Sequence, residues 1–337
     1  MHNLDLQVLN AGRQWLHAHT VWLCTVISTF GSSPRPPGAM MVIRADGRYS
    51  GSLSGGCVEE SFIERIQAEA FTSPSQLIRY GEGGYAPDQA LPCGGSLSIL
   101  VEKLPPDAQS QAYLTTLIDA FTQATALVKR VTLPEACTSL TPVGYSGKTL
   151  TEVCGDVITL TLATPPRLIV CGLSSVAVFC ANFALTLGFE TLVCEHRPDA
   201  RLTLAPGLSE GITLLEVFPA RYLEEHGCHA GTAILSLTHD PRIDDLTMME
   251  AVHLPAFYLG AMGSVRNSQK RRERLVAFGD VTPAQLQRIH APVGLAIGSK
   301  TPAEIALSIM ADIVRHKNGM VSGSEAGAVA VPCAGLA

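Results

Sequence analysis

The sequence predicts an α/β protein in which an α+β domain is followed by a doubly wound parallel-sheet domain. Its 337 residues exceed one ordinary globular core, so two domains are expected. Between residues 166 and 317, short apolar runs alternate with helical patterns, which is typical of a parallel sheet covered on both faces. The first part of the chain instead combines helices with a hairpin pattern. We therefore expect domains over 1–104 and 166–317, a connector over 105–165 and a disordered tail over 318–337.

The first domain opens with an amphipathic helix and an apolar segment. Leu4, Val8, Ala11 and Trp15 recur at helical spacing, which predicts a helix with one apolar face. An apolar run over residues 21–27 follows that helix directly.

A loop and a hairpin come next along the chain. Residues 31–38 are too rich in proline and glycine for a helix or a strand. Residues 40–43 and 48–53 flank the turn residues 45–47, Ala-Asp-Gly, and this arrangement predicts a β-hairpin.

Two glycine pairs introduce the remaining elements of the first domain. The pair at 55–56 precedes a helix whose apolar stripe we predict at Val58, Phe62, Ile66 and Ala70. The pair at 94–95 leads into a strand over 96–101. The connector that follows is expected to carry one helix near 113–122 and some strand.

The second domain begins with a stretch of 22 uncharged residues, 168–189, which reaches the length of a membrane span. A turn at Gly172 and a restart at Gly188 divide this stretch into shorter elements. The pattern therefore indicates a strand over 168–171, a helix over 176–187 and a second strand over 191–194, which together form a βαβ unit.

The last helix of the second domain carries a local start signal. Thr301 has the side chain of an N-cap, and Pro302 suits the first helical position. Glu304 stands three residues after the cap and completes a capping box.

Composition excludes several functional classes. The formal charge of −6 gives no electrostatic footprint for nucleic acid or an anionic membrane. The ten cysteines include no Cys-x-x-Cys pair, which argues against a structural zinc site and against a secreted disulfide scaffold. The N-terminus also lacks the basic and apolar segments of a signal peptide. We therefore expect a cytoplasmic protein with reduced thiols.

The turn after the first strand of the second domain resembles a dinucleotide fingerprint. It reads Gly172-Leu-Ser174-Ser-Val-Ala177, so serine replaces the middle glycine that lets a pyrophosphate approach the backbone. Glu195 ends the next strand, at the distance where an acid meets ribose hydroxyls. Two interpretations stay open here: an altered or lost nucleotide site, and an NAD(P)-dependent oxidoreductase.

Polar residues end two later strands of the second domain. His239 and Asp240 follow one strand, and Gly263 and Ser264 follow the next. Ligands of open α/β sheets bind outside the carboxyl ends of strands, so these positions are binding candidates, although a loop histidine is more often structural. The basic run over 270–274 is interpreted as a solvated helix face.

The first domain holds a more unusual group of residues. Ser32, Ser33 and Arg35 lie in the proline-rich loop, and Cys57 and Cys93 adjoin the two glycine pairs. Amides at a helix start bind anions and lower a thiol pKa, although the two glutamates after Cys57 oppose that effect. The residues leave Cys57 open as a buried core cysteine, a cofactor contact or the nucleophile of a transfer enzyme.

Several long motifs resemble one known family. The segments GSSPRPPGAMMVIRADGRYSGSLSGGCVEE and LPCGGSLSILVEKL resemble the N-terminal domain of the XdhC/CoxI family, the chaperones of molybdenum hydroxylases such as xanthine dehydrogenase. The segments LSLTHDPRIDD, FYLGAMGSVRNSQKRRERL and APVGLAIGSKTPAEIALSIMADIV resemble the Rossmann-like C-terminal domain of that family. The resemblance therefore implies an XdhC-type domain followed by a Rossmann-like domain.

The resemblance also implies a function. Such a chaperone binds and protects the molybdenum cofactor, as molybdopterin or its cytosine dinucleotide, assists its sulfuration and inserts it into the target enzyme. The implied partners are the molybdenum-binding subunit of a hydroxylase, a cysteine desulfurase, a molybdopterin cytidylyltransferase and a second copy of the chain. On this interpretation the protein is a carrier and not an enzyme, NAD(P) is not its cofactor, and a sulfur-transfer step through Cys57 stays open.

Matching positions give the implied cofactor contacts. In the first domain they are Ser32, Ser33, Arg35, Gly38, Gly55, Gly56, Cys57 and Cys93, with Cys57 as a contact to molybdenum or sulfur. In the second domain they are His239, Asp240, Gly263 and Ser264, and the altered turn adds Gly172, Ser174 and Glu195. The chain departs from the family at this turn, where relatives commonly have Gly-x-Gly-His.

Overall fold

The computed structural model describes residues 4–30, 35–55, 58–81, 95–122, 125–137, 139–144, 149–238, 240–279 and 281–319. These residues form two compact units, which divide between Thr164 and Pro165. None of the described helices is both long and apolar enough to cross a membrane.

The first unit begins with a five-stranded antiparallel sheet and two helices. The elements are α1 (Leu4–Trp15), β1 (Val21–Phe30), β2 (Met40–Arg44), β3 (Tyr49–Gly51), α2 (Glu59–Gln67), β4 (Ser75–Tyr80) and β5 (Ser96–Leu104). The strand order is β3-β2-β1-β5-β4. β1 is central and buried on both faces over residues 21–27. Its odd-numbered apolar residues pack toward α1, and its even-numbered ones pack toward α2.

Local sequence signals place most of these elements correctly. The predicted first helix and the hairpin of β2 and β3 are confirmed. The predicted stripe of α2 is confirmed at Val58, Phe62 and Ile66, which are buried. Ala70 is exposed, because the chain leaves the helix at Glu69, whose φ of 54° is left-handed. β4 has no counterpart among the predicted strands, because half of its residues are polar and it lies at the sheet edge.

Residues 105–164 add a helix and a second sheet to the first unit. The elements are α3 (Ala108–Thr122), β6 (Ala126–Thr132), β7 (Ser139–Val143), β8 (Leu150–Cys154) and β9 (Val157–Leu162). The strands are antiparallel, in the order β7-β6-β9-β8. The expected helix near 113–122 is present and begins earlier, at Ala108. Apolar residues of β6 and β9 join those of α1 and α3 in one core, so the predicted connector is part of this unit.

The second unit is the predicted doubly wound parallel sheet. Its elements are β10 (Arg167–Cys171), α4 (Ser175–Thr186), β11 (Glu190–Cys194), α5 (Pro198–Leu204), β12 (Thr213–Leu215), α6 (Pro219–His226), β13 (Thr232–Ser236), α7 (Pro241–Ala251), β14 (Tyr258–Ala261), α8 (Val265–Gly279), α9 (Pro283–Gln287), β15 (Ile289–His290) and α10 (Pro302–Lys317). The predicted βαβ unit and the capping box at Thr301 are confirmed. The uncharged stretch over 168–189 therefore forms a strand, a helix and their turns, and not a membrane span.

The strand order of the second unit defines where a ligand would bind. The order is β12-β11-β10-β13-β14-β15, and all neighbouring strands are parallel. The chain moves outward in one direction from β10 and in the other from β13. Helices α4 and α10 cover one face, while α6, α7 and α8 cover the other. The carboxyl ends of β10 and β13 therefore flank the topological switch point, where doubly wound sheets bind ligands.

Candidate functional site

The predicted site residues divide into three sets. Ser32, Ser33, Gly56, Cys57, Cys93 and His239 lie outside the described residues. The first unit holds Arg35, Gly38 and Gly55, and the second holds Gly172, Ser174, Glu195, Asp240, Gly263 and Ser264. Within the described residues, no group of three or more His, Cys, Asp or Glu side chains is positioned to hold a metal ion.

In the first unit, the turn over 52–55 wraps around the carboxylate of Glu59. The backbone amides of Leu53, Ser54 and Gly55 donate to Glu59 Oε1 at 2.9, 2.9 and 3.2 Å. The Ser52 hydroxyl donates to the same oxygen at 2.7 Å, and the Ser54 hydroxyl donates to Oε2. The described amides of the predicted anion site are therefore occupied by an anion that belongs to the protein.

These hydrogen bonds keep Glu59 ionised although its side chain is buried. Burial by itself raises the pKa of Glu59, but the hydrogen bonds from Ser54, Ser52 and Leu53 outweigh it and lower the pKa to about 2. From the sequence alone, Glu59 is predicted only as a negative charge that opposes the lowering of the Cys57 thiol pKa. The missed signal is a Ser-x-Ser-Gly-Gly turn just before an acid in the first helical turn.

Arg35 and Gly38 connect the proline-rich loop to the same region. Arg35 Nε donates to the carbonyl oxygen of Ser52 at 3.2 Å, so the structure brings Arg35 and the turn over 52–55 together. Gly38 has a φ of 90°, and a Cβ atom there would lie 2.7 Å from the Thr149 side chain. The positive φ and this close contact therefore both require glycine at position 38. A cofactor contact at either residue stays a prediction.

The turn after β10 is shaped by close packing. Gly172 has a φ of 88°, and a Cβ atom at this position would lie 1.9 Å from Thr238 Cγ2. Ser174 is the N-cap of α4, since its side chain accepts a hydrogen bond from the Ala177 amide at 3.2 Å. Ser174 is buried. Its hydroxyl therefore completes the helix start.

The carboxylate of Glu195 forms hydrogen bonds with this turn. Its Oε2 accepts the Leu173 amide at 2.6 Å, and Arg197 Nη2 donates to the same oxygen at 2.7 Å and to the Leu173 carbonyl at 3.0 Å. Glu195 is only 1% exposed. Burial raises its pKa, but the hydrogen bonds from Arg197 and Leu173 outweigh this effect and hold the pKa below its usual value.

The hydrogen bonds of the turn after β10 differ from those of a dinucleotide-binding site. In a dinucleotide site, the amides of this turn face the pyrophosphate and the acid faces the ribose. Here the Leu173 amide and the Glu195 carboxylate bind each other, and Arg197 covers both. Sequence reasoning missed Arg197, whose signal is an arginine two residues after the acid. This geometry disfavours the oxidoreductase alternative.

A buried ionic network lies at the ends of β13 and β14. Asp244 Oδ1 accepts hydrogen bonds from the Ser236 and Thr238 hydroxyls, both at 2.7 Å. Arg271 donates to Asp244 Oδ2 at 3.3 Å and to Asp245 Oδ1 at 3.0 Å. Arg271 is 4% exposed, so the prediction of a solvated face is wrong at this residue. Its burial depends on two aspartates of another helix.

The remaining predicted residues of the second unit gather at this edge of the sheet. Asp240 is the N-cap of α7 and forms an ion pair with Arg242 at 2.8 Å. Ser264 precedes α8 and accepts the Asn267 amide at 3.3 Å. Gly263 lines a cavity of about 240 Å³, together with Pro241, Asp244, Met262, Asn267, Lys270, Arg271 and Arg274. Gly263 therefore lines this cavity, while Asp240 and Ser264 are sequence neighbours of lining residues.

The described cysteines are mostly core residues. Six are free thiols: Cys24, Cys137, Cys171, Cys180, Cys194 and Cys228. Four of these are fully buried, and burial raises the pKa of each thiol. Cys154 is disulfide-bonded, so the expectation of reduced thiols throughout is wrong at this position.

The two units match two models of one protein family. A model of the XdhC and CoxI family matches residues 15–81, and a model of the XdhC Rossmann domain matches residues 168–313. Together the matches cover more than half of the chain, and the chain belongs to this family.

Particular relatives share most of the chain. The molybdenum cofactor insertion chaperone PaoD of Escherichia coli is 28% identical over 86% of this chain and 81% of its own length. A Bacillus subtilis protein, named as a probable xanthine dehydrogenase subunit, is 28% identical over 88% of this chain and 92% of its own. A crystal structure described as a xanthine dehydrogenase from Bacillus halodurans is 22% identical, with a TM-score of 0.71 over 96% of this chain and 98% of that one. This last likeness supports the fold.

Proposed function

We propose that this protein is a carrier of the molybdenum cofactor. It binds and protects the cofactor, as molybdopterin or its cytosine dinucleotide, assists its sulfuration and inserts it into an enzyme of the xanthine dehydrogenase or aldehyde oxidoreductase type. The observation that carries this proposal is the match to an insertion chaperone over 86% of the chain. The cofactor is the cargo of the protein, which turns over no substrate of its own.

Features of the second unit support a carrier over a nicotinamide-dependent enzyme. The turn that would hold a dinucleotide is closed by Glu195 and Arg197. The cavity beside Gly263 is instead lined by Lys270, Arg271 and Arg274, and basic side chains suit the phosphate of the cargo. In the first unit, Arg35 lies beside the turn that precedes Cys57. A thiolate at Cys57 would be a soft ligand, and soft ligands suit a molybdenum dithiolene.

The proposal includes partners and a location. The carrier receives the cofactor in the cytoplasm, with a cysteine desulfurase and a molybdopterin cytidylyltransferase as partners in its preparation. The molybdenum-binding subunit of a hydroxylase accepts the cofactor. A homodimer is proposed as the working form.

The test is the pterin content of the purified protein. Protein expressed in cells that make the cofactor is oxidised, and the released fluorescent pterin is measured per chain. We expect pterin with the wild type, and less with Cys57→Ala or Cys93→Ala. Cys137→Ala is the matched control, because Cys137 is a free thiol of the first unit outside the predicted site. A folded wild type that neither carries nor accepts the cofactor would disprove the proposal.

A further inference from the structure

The cavity between the end of β14 and the start of α8 has the properties of a ligand site. Its volume is about 240 Å³. It lies beside the carboxyl ends of β13 and β14, next to the topological switch point and on the edge of the sheet where ligands bind. Its lining combines Lys270, Arg271 and Arg274 with Asn267 and Gly263.

The charges around this cavity do not cancel. Asp244 is paired with Arg271, and Asp245 is paired with Arg271 and Arg274. Lys270 is exposed at the cavity and forms no ion pair with any described residue. Three cationic side chains therefore face two carboxylates, and one positive charge remains for a bound anion.

Hydrogen-bond donors also remain unused at this position. Arg271 donates one N–H each to Asp244, Asp245 and the Met262 carbonyl, which leaves two of its five N–H groups. The Ser268 hydroxyl belongs to a side chain only 3% exposed, and it has no hydrogen-bond partner within the described chain. An unpartnered buried hydroxyl is costly, so a ligand atom there would stabilise the site.

Ser268 Oγ and Arg271 Nη1 both lie close to Gly263, which lines the cavity. A methyl group built on Gly263 would lie 3.7 Å from Ser268 Oγ and 3.8 Å from Arg271 Nη1. Its nearest neighbour would be Asn267 Cβ at 3.4 Å, which is an ordinary contact, so the space beside Gly263 is open. The N-terminus of the 15-residue helix α8 adds partial positive charge at this point.

We propose that this cavity binds the phosphate group of a small phosphorylated ligand through Lys270, Arg271 and Ser268. A phosphate offers several acceptor oxygens to these donors and balances the remaining positive charge. The phosphate site of the second unit thus lies after β14, while the turn after β10 is closed by its own glutamate. The inference rests on the proposed function where the phosphate belongs to the cofactor, and it goes beyond that function where the phosphate belongs to a separate nucleotide.

The test measures the binding of inorganic pyrophosphate to the full chain by calorimetry at constant ionic strength. We expect saturable binding by the wild type. Lys270→Gln weakens it about tenfold and Ser268→Ala about fivefold. Arg272→Gln is the matched control, because it removes the same charge from an exposed position of the same helix, and it should change affinity less than about twofold.

Two outcomes would overturn the inference. One is the lack of saturable pyrophosphate binding by a folded wild type. The other is an equal loss of affinity in Arg272→Gln and Lys270→Gln, which would reveal unspecific attraction by the helix charge.

Two further measurements identify the source of the phosphate. If it belongs to the cofactor, Lys270→Gln purified from cofactor-producing cells carries less pterin than the wild type. If it belongs to a separate nucleotide, pterin content is unchanged and the affinity for cytidine diphosphate falls. A wild type that binds pyrophosphate but carries no pterin would end the proposed function and leave this site intact.

Discussion

Replacing Glu59 with glutamine tests how strongly a buried carboxylate stabilises the turn over 52–55. Glutamine keeps the shape of the side chain, but it turns one acceptor oxygen into an NH2 group that faces backbone amides. The pKa of Glu59 falls from 4.5 to about 2, which corresponds to about 3 kcal/mol of stabilisation. After allowance for solvent screening at the partly exposed turn, we expect the first unit to lose about 2 kcal/mol at neutral pH.

The pH dependence gives this prediction a definite sign. The pKa of Glu59 is lower in the folded state, so its contribution is complete above pH 4.5 and is lost as the pH falls to about 2. The stability of the wild type should therefore decrease more steeply than that of Glu59→Gln over this range. The two proteins should converge near pH 2.

Tryptophan fluorescence during denaturation by urea provides the assay. Both tryptophans of the chain, Trp15 and Trp22, lie in the first unit, so their signal reports the unfolding of that unit. Glu60→Gln is the control, because Glu60 is the exposed neighbour with the same charge. Equal stability of Glu59→Gln and the wild type at pH 7, with the same pH dependence, would refute the reasoning.

Two other changes probe the cores of the two units. Lys129→Met leaves the buried carboxylate of Glu102 without its ion-pair partner, so the first unit should lose about 3–5 kcal/mol in the same fluorescence assay. Adding Glu102→Leu should recover most of this loss, and a further loss would contradict the expectation. Gly172→Ala forces a methyl group against Thr238 and a positive φ on alanine, so hydrogen exchange in the second unit should report a loss of about 2 kcal/mol or more. Thr238→Ser removes the contacting methyl group and should restore part of that stability; no effect of Gly172→Ala would contradict the packing.

Elements with a local signal are predictable from the sequence. The capping box at Thr301 and the βαβ unit over 168–194 depend on residues only a few positions apart, and both occur as expected. The sheet of β6–β9 is not predicted in detail, because β7 and β8 are mostly exposed and carry little apolar pattern, and because β6 pairs with β9 across 25 to 35 positions. β4 is missed because an edge strand with polar residues carries little apolar pattern.

Prediction of the candidate site from the sequence is limited in the same way, by contacts between residues far apart in the chain. The rule that ligands bind at strand ends selects Asp240, Gly263 and Ser264. Gly263 lines the cavity after β14, and a cofactor contact at any of the three stays a prediction. The burial of Arg271 could not be predicted, because it depends on aspartates 26 and 27 positions away. A residue pattern also cannot tell whether an acid faces a ligand or its own backbone, and the Glu195 carboxylate accepts the backbone amide of Leu173.

The closed turn after β10 has a thermodynamic consequence. In an ordinary dinucleotide protein, the ligand completes the hydrogen bonds of this turn, so the melting temperature rises with ligand concentration. Here the Glu195 carboxylate, and not a ligand, accepts the Leu173 amide of this turn at 2.6 Å. We therefore expect that added NAD(H) or NADP(H) leaves the melting temperature of the second unit unchanged.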